Sequence, residues 1–395
     1  MNEHPRIASY SLLAASWLCW TWVWSMRMMF PTIMPAIEDG LNLSSSDAYA
    51  LVGVFNLATG ASFFLFGRAA DRSSRKLVVL VGLSASVASA LILSQLSAFG
   101  GLLAVSIATG FFLGAYLPSG TAVLSDSYPK ERMGFVLSIH ETGASTGQTL
   151  GTLLVSGGIL FLGWRQIFGW WTLAGLAPIL LYFFVALKGT PPKEQNRTFT
   201  GKSNWTKTQT LLMLLIYVGI LSGITGFVSV LPVYLVQVFG VAIFIEALII
   251  GLTRIPAPLG QVLAGRFSDR HGRKPLILAI SLIVAATTAV MAFVPFGLLF
   301  IVALFVQFSA GAAFFPIMLA WISDVTSPNE MAGKIGIGMS GGSILGAGLV
   351  PVVIGFLAPL YGYQTAFIFP MGLMLIGIAA VILLNFKQDQ NSHSQ

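Results

Sequence analysis

Residues 67–76 read GRAADRSSRK, and residues 265–274 read GRFSDRHGRK. The two stretches lie 198 residues apart, and the same offset carries Pro118 onto Pro316 and Asp126 onto Asp324, within LPSGTAVLSD and FPIMLAWISD. A one-residue slip makes the offset 199, which maps Gly143 onto Gly342, Gly147 onto Gly346 and Gly163 onto Gly362. Matches of two residues arise by chance, but a register kept over about 95 residues marks an internal repeat. The chain reads as a tandem duplication with a charged turn at the same place in each copy.

What surrounds those turns is membrane sequence. Of 395 residues 56% are hydrophobic and 9% are charged, against about 25% charged in a soluble domain. Apolar runs long enough to span a bilayer, about 20 residues, lie near 8–37, 48–66, 77–97, 100–124, 134–161, 166–187, 209–238, 244–264, 275–295, 298–321, 334–358 and 364–386. One long polar connection, KGTPPKEQNRTFTGKSNWTK (188–207), divides them six and six. The expected fold is all-α and polytopic: twelve transmembrane helices in two pseudo-symmetric six-helix bundles, 1–187 and 209–395, joined by a linker at 188–208.

With both termini on the cytoplasmic side, 18 of the 21 basic residues fall on that side and only Arg165 falls outside. This is the positive-inside pattern, and it explains the net charge of +7 without a nucleic-acid partner, since the basic residues sit in short clusters between apolar runs. A multi-pass protein of the plasma (inner) membrane is expected, monomeric in the bilayer. The first apolar run lacks a small-residue cleavage site and reads as a retained helix. The single cysteine, Cys19, excludes an intrachain disulfide. No phosphate loop, catalytic triad or metal-ligand cluster appears, and neither a cofactor nor a metal is expected.

Twelve spans, a basic central loop and a repeated G-R-x-x-D-R-x-x-R-K turn resemble the major facilitator superfamily over essentially the whole chain. The resemblance implies a central cavity between the bundles and alternating access by rocking of the halves. It also implies a conformational latch at Gly67, Asp71, Arg72, Arg75 and Asp126 and, in the second copy, at Gly265, Asp269, Arg270, Arg273 and Asp324. The residues have a physical reading of their own. A carboxylate such as Asp71 or Asp269 is favoured at helix N-termini, and the arginines can pair with Asp126 and Asp324. Gly272 is replaced by Ser74 in the first copy. The family's frequent fourth-helix arginine, five residues before a glycine, is absent: Thr109 precedes Gly114, and Val306 precedes Gly311. A coupling mechanism built on that arginine is not implied.

Four ionisable side chains fall within spans: Arg27, His140, Glu141 and Arg254. In WVWSMRMMFPTIMP (22–35) an arginine stands alone among apolar residues, at a cost of roughly 2.5–3.5 kcal/mol on insertion scales. Arg27 lies eleven residues before Glu38, and Arg254 eleven before Gly265. At 1.5 Å per residue both are about 16 Å deep, near the middle of a core about 30 Å thick. The acid nearest Arg254 on its own helix is Glu246, two turns away and near the outer surface. Glu141 is the one acid well inside a span, and one carboxylate cannot neutralise two arginines. Glu141, Ser145, Gln148 and Thr152 form a polar stripe on helix 5, and Gly251, Arg254, Pro258 and Gln261 form one on helix 8. Asn56 is the repeat mate of Arg254.

These residues point to a cavity with two cationic groups, one from each half, and to a negatively charged solute. A helix 8 arginine at mid-depth resembles the monocarboxylate and oxalate carriers of the superfamily. Arginines in both halves resemble its organic-phosphate, anion–cation symport and nitrate branches; the nitrate branch pairs its helix 8 arginine with one on helix 2, where Asn56 stands here, so nitrate is less favoured. The leading expectation is a secondary active transporter of a small organic anion, a carboxylate in the first instance, with Asn56, Gln148 and Gln261 beside the arginines. His140 and Glu141 would serve either proton coupling, with protons as co-substrate in symport, or a charge pair with an arginine that an incoming anion breaks. Multidrug or metabolite efflux, and exchange of organic phosphates or inorganic anions, stay open. The cores of helices 1, 2 and 4 hold no acid, which disfavours cations and sugars. The tryptophans Trp17, Trp20, Trp22 and Trp24 read as packing against lipid and neighbouring helices. Gly143, Gly147 and Gly151 on helix 5, and GIGMSGGSILGAG (336–348) on helix 11, read as seams for close helix approach.

Overall fold

A computed structural model describes residues 10–187, 205–326 and 328–385; most of the linker lies outside them. Every regular element is helical. The helices are α1 (Tyr10–Leu41), α2 (Ser45–Arg72), α3 (Arg75–Leu93), α4 (Phe99–Ser127), α5 (Lys130–Gly158), α6 (Trp164–Ala186), α7 (Lys207–Phe239), α8 (Ile243–Ser268), α9 (Arg273–Phe293), α10 (Leu298–Val325), α11 (Gly333–Tyr361) and α12 (Tyr363–Leu383).

Ten of these are apolar and long enough to cross a membrane. The other two, α1 and α5, are 32 and 29 residues long and carry the Trp, Ser, Thr, Pro and charged residues that lower mean hydropathy. They can be more polar because they face each other instead of lipid. A Cβ on Gly147 would lie 2.2 Å from the Thr21 carbonyl oxygen, and one on Gly151 2.3 Å from that of Ser25. The two backbones therefore touch, as small-residue seams allow. The second copy repeats the contact between α7 and α11, where a Cβ on Gly346 would lie 2.6 Å from the Val218 carbonyl oxygen. The duplication read from the charged turns is a duplication of packing as well.

The charged turns define one basic face. Arg75 Nη1 contacts both carboxylate oxygens of Asp126, at 2.7 and 2.6 Å. Its repeat mate Arg273 meets Asp324 through Nε at 3.1 Å and donates to Ser268 Oγ at 2.6 Å. Both pairs stay within their own half. Arg72 and Arg270 are exposed, and the side chains of Asp71 and Asp269 lie outside those described. Gly272 holds φ +89°, whereas Ser74 holds φ −66°, so the two turns differ in backbone where the glycine is replaced.

The far face is closed. Ser46 Oγ on α2 donates to the Gly355 carbonyl on α11 at 2.6 Å, and the Tyr49 hydroxyl donates to that of Tyr363 at 3.0 Å. Ser156 Oγ on α5 donates to the Phe244 carbonyl on α8 at 2.8 Å. Nearer mid-depth, Asn56 Nδ2 lies 3.5 Å from the Ala347 carbonyl oxygen. Among the described residues, the hydrogen bonds that join the halves lie at or beyond the level of Arg254 on the side away from the basic turns.

Several helices break at mid-depth. Chain flow in α8 is interrupted at Arg254–Pro256, because Pro256 and Pro258 cannot donate to the preceding turn. A wide π turn interrupts α7 at Ser222–Phe227 and α11 at Gly342–Gly348, and such turns gather at functional sites.

Candidate functional site

Arg254 stands at the break in α8, 5% exposed. Its guanidinium donates through Nη1 to Gln148 Oε1 on α5 and lies 3.9 Å over the ring of Phe308. Its Nε has no acceptor. It lines a narrow cavity between the halves, bounded by Met28 and Thr32 of α1 and by Ile224, Thr225, Val228 and Ser229 of α7. The α7 part of this wall is the π turn and the residues just after it, so the irregular backbone borders the cavity.

Arg27 is 6% exposed and does not border that cavity. Its neighbours are the rings of Trp24 at 4.4 Å and Phe63 at 5.9 Å. Among the described residues it makes no hydrogen bond and no ion pair, and its Nε is buried without an acceptor. A guanidinium has five N–H donors and stays charged. Contacts with ring faces return about 0.5–2 kcal/mol each, far less than the cost of an uncompensated buried charge. Arg27 is the less satisfied of the two arginines.

Expectation and structure part over how these groups meet. Gln148 and Arg254 are brought together across the seam between the halves. Arg27 and Arg254 are not: Arg254 faces the central cavity beside Met28 and Thr32, while Arg27 leaves α1 on another side toward α2. Gln261 Nε2 donates at 2.9 Å to the Ala312 carbonyl on α10, within its own half. Neither arginine has a carboxylate within 4.0 Å among the described residues.

Glu141 is bound elsewhere. Its Oε1 lies 3.3 Å from Nδ1 of His140, and that imidazole is fully buried. His140 Nε2 lies 3.1 Å from the Tyr116 hydroxyl, which donates its one hydrogen to the Ser16 carbonyl at 2.6 Å. The hydroxyl must therefore accept from Nε2–H. Trp20 stacks on both rings, 5.3 Å from Tyr116 and 5.5 Å from His140.

The tryptophans of α1 are packed against protein. Trp22 Nε1 donates to the Trp171 carbonyl at 3.1 Å and Trp17 Nε1 to Thr142 Oγ1 at 2.9 Å. Trp20 and Trp24 differ, for their indole N–H groups are buried without an acceptor. Ser16, Trp20, Trp24 and Arg27 follow one another at helical spacing, and each carries a buried side-chain N or O atom with no partner. The spacing was visible in the sequence; the missing acceptors were not. Glu246 stands in the first turn of α8 and is completely buried there, where α5, α7 and α10 pack against that end of α8.

The sequence profile of the Major Facilitator Superfamily matches residues 17–258 and 248–395. The chain belongs to that superfamily. It is 27% identical to a multi-drug resistance efflux pump PmrA homolog of Lactococcus lactis, over 98% of each chain. It is 27% identical to a probable nitrate/nitrite antiporter, NarK1, of Thermus thermophilus, over 70% of this chain and 65% of that one. It is 26% identical to the multidrug resistance protein MdtG of Dickeya zeae, over 75% and 74%. Among solved structures it is similar in fold to a bacterial homolog of the human lysosomal transporter Spinster in an inward-facing and occupied conformation, with TM-score 0.77 and 17% identity over 97% of each chain. It is similar also to a point mutant of the nucleoside transporter NupG, with TM-score 0.74 and 14% identity over 95% and 99%. The protein is thus a superfamily transporter, with two six-helix bundles and a small-molecule substrate that crosses the membrane.

Proposed function

We propose that this transporter carries a small organic anion, a carboxylate in the first instance, by alternating access, with Arg254 and Arg27 as its cationic groups. One observation carries the reading: two guanidinium groups, each at most 6% exposed, have no carboxylate partner among the described residues. Glu141, the acid that could have served, lies against His140 instead. A solute anion supplies the missing charge, first at Arg254 in the cavity between the halves. The broken α8 supports this, since the second half-helix begins at Ala257 and places the positive end of its dipole near mid-depth. By the positive-inside rule the basic face is cytoplasmic, so the closed far face looks outward.

A second reading is export of larger compounds, and the names of the Lactococcus and Dickeya relatives favour it. The aromatic surroundings of Arg27, Trp24 and Phe63 suit an amphiphilic anion, for which the two readings coincide. The Thermus relative's name points to an inorganic anion. Here Asn56, at the repeat position of Arg254, lies against the Ala347 carbonyl instead of presenting a second charge.

The test is thermal unfolding of purified protein with mono- and dicarboxylates, phosphate esters, nitrate and cationic dyes, alongside Arg254→Gln. The reading requires an anion to raise the wild-type midpoint and the variant to lose the response. Stabilisation by cationic or neutral compounds alone, or an equal response in the variant, assigns the arginines to structure and makes export the function.

A further inference from the structure

We infer that Glu246 is a proton-binding site, and that a proton on it is required for closure of the far face. The inference does not depend on the identity of the solute.

Glu246 lies on α8, eight residues before Arg254 and so about 12 Å further toward the far face. It is 0% exposed, and neither carboxyl oxygen has a hydrogen-bond partner. No ion pair or other interaction reaches it among the described residues. A carboxylate left this way would forfeit its hydration with only the field of the first helical turn in return, whereas a neutral carboxylic acid loses much less. The chemistry of the pocket therefore selects the protonated form.

The surrounding helices offer no counter-charge. Those packed against this half of α8 are α5, α7, α10 and α1. Their ionisable groups in the described structure are His140, Glu141 and Arg132 on α5, Lys207, Tyr217 and Tyr234 on α7, Asp324 on α10, and Tyr10, Cys19, Arg27, Glu38 and Asp39 on α1; Lys130 and Glu131 stand at the start of α5. On α8 itself there are Arg254 and Arg266, with Asp269, Arg270 and His271 just past its end. His140 and Glu141 are committed to each other, Asp324 to Arg273, and Arg254 to Gln148. Glu38 accepts from Ser45. None of the described groups bonds Glu246.

α5, from the other half, helps to bury the carboxyl together with α7 and α10 of its own half. Ser156 of α5 is bonded to the backbone of Phe244, two residues from Glu246, and this bond joins the two halves. Tyr49 with Tyr363, and Ser46 with Gly355, complete the same seal. When the halves part on the far face, α5 leaves α8, water reaches the carboxyl, and it can release its proton to that side. Closing again requires the proton back. The closed form thus holds one proton more than the open form, so acid favours closure. Where the open form is ionised and the closed form protonated, the closed-to-open ratio rises about tenfold for each pH unit of acidification.

The test uses the full chain in lipid nanodiscs, with spin labels at Asp39→Cys and Tyr361→Cys, both exposed on the far face in different halves. The native Cys19 is buried and escapes labelling. The expected result is a short-distance population that grows on acidification in the wild-type background. With Glu246→Gln, which is neutral at every pH, that population is present throughout. Glu246→Met is the apolar equivalent should Gln, with its extra donors, prevent folding. A wild-type distance distribution that ignores pH overturns the inference, with or without a folded variant. So does a variant that titrates like the wild type.

Discussion

Gln148 of α5 is the acceptor for Arg254 of α8 across the seam between the halves. It does for one N–H what an anion would do for the whole guanidinium. Turning that neutral acceptor into a charged one should therefore occupy the site permanently. Gln148→Glu is expected to raise the unfolding midpoint, since a hydrogen bond to a charged group contributes about 1.5–3 kcal/mol. It is also expected to abolish stabilisation by added anions. Thermal unfolding of this variant with and without benzoate checks both; an undiminished anion response would show that the anion binds away from Arg254.

Arg27 predicts the opposite combination. It is buried among rings with no hydrogen bond, so it weakens the solute-free protein. Arg27→Met keeps the volume and removes the charge. The solute-free variant should be more stable by about 1 kcal/mol or more, since hydrophobic replacement of buried charge is often stabilising, while transport in proteoliposomes falls. A loss of stability would show instead that Arg27 has an acceptor in the membrane and serves the fold.

The sequence made the architecture legible because both of its signals are local. Twenty-residue apolar runs report helices, and GRAADRSSRK with GRFSDRHGRK reports the repeat. The charges within spans were legible for the same reason: Arg27, His140, Glu141 and Arg254 stand out against apolar neighbours. What each charge meets is set by helix rotation, which no run of residues states. One register step on α1 separates Met28, on the central cavity, from Arg27, which turns toward Phe63 of α2. The burial of Glu246 was hidden by a related limit, since distance from the end of a span measures depth and not cover. Residues from α5, α7 and α10 provide that cover, and they come from far along the chain.

The glycine seam between α1 and α5 predicts a sharp positional contrast. A methyl group at Gly147 would meet the Thr21 carbonyl oxygen at 2.2 Å, and one at Gly346 the Val218 carbonyl oxygen at 2.6 Å, whereas nothing lies within 4 Å at Gly157. Gly147→Ala and Gly346→Ala should each destabilise by about 1–3 kcal/mol, the usual cost of overpacking. Gly157→Ala should be neutral or stabilising by up to about 1 kcal/mol through the unfolded chain. Midpoints of detergent unfolding for the three variants decide it, and equal losses at all three would deny that the backbones touch.

Tyr116 makes the same kind of argument at the buried imidazole. Its hydroxyl donates to the Ser16 carbonyl and accepts from His140 Nε2, while Trp20 stacks on both rings. Tyr116→Phe keeps the ring and removes both hydrogen bonds, leaving Nε2–H unsatisfied in a fully buried site, while the Ser16 carbonyl keeps its bond within α1. The expected loss is about 1–3 kcal/mol for the group so stranded. His140→Phe removes the other partner and leaves Glu141 without its imidazole neighbour. If hydroxyl and imidazole act as one unit, the double variant loses less than the sum of the singles, by about 0.5–3 kcal/mol. Strict additivity would mean that His140 is held by Glu141 and the stacked rings alone.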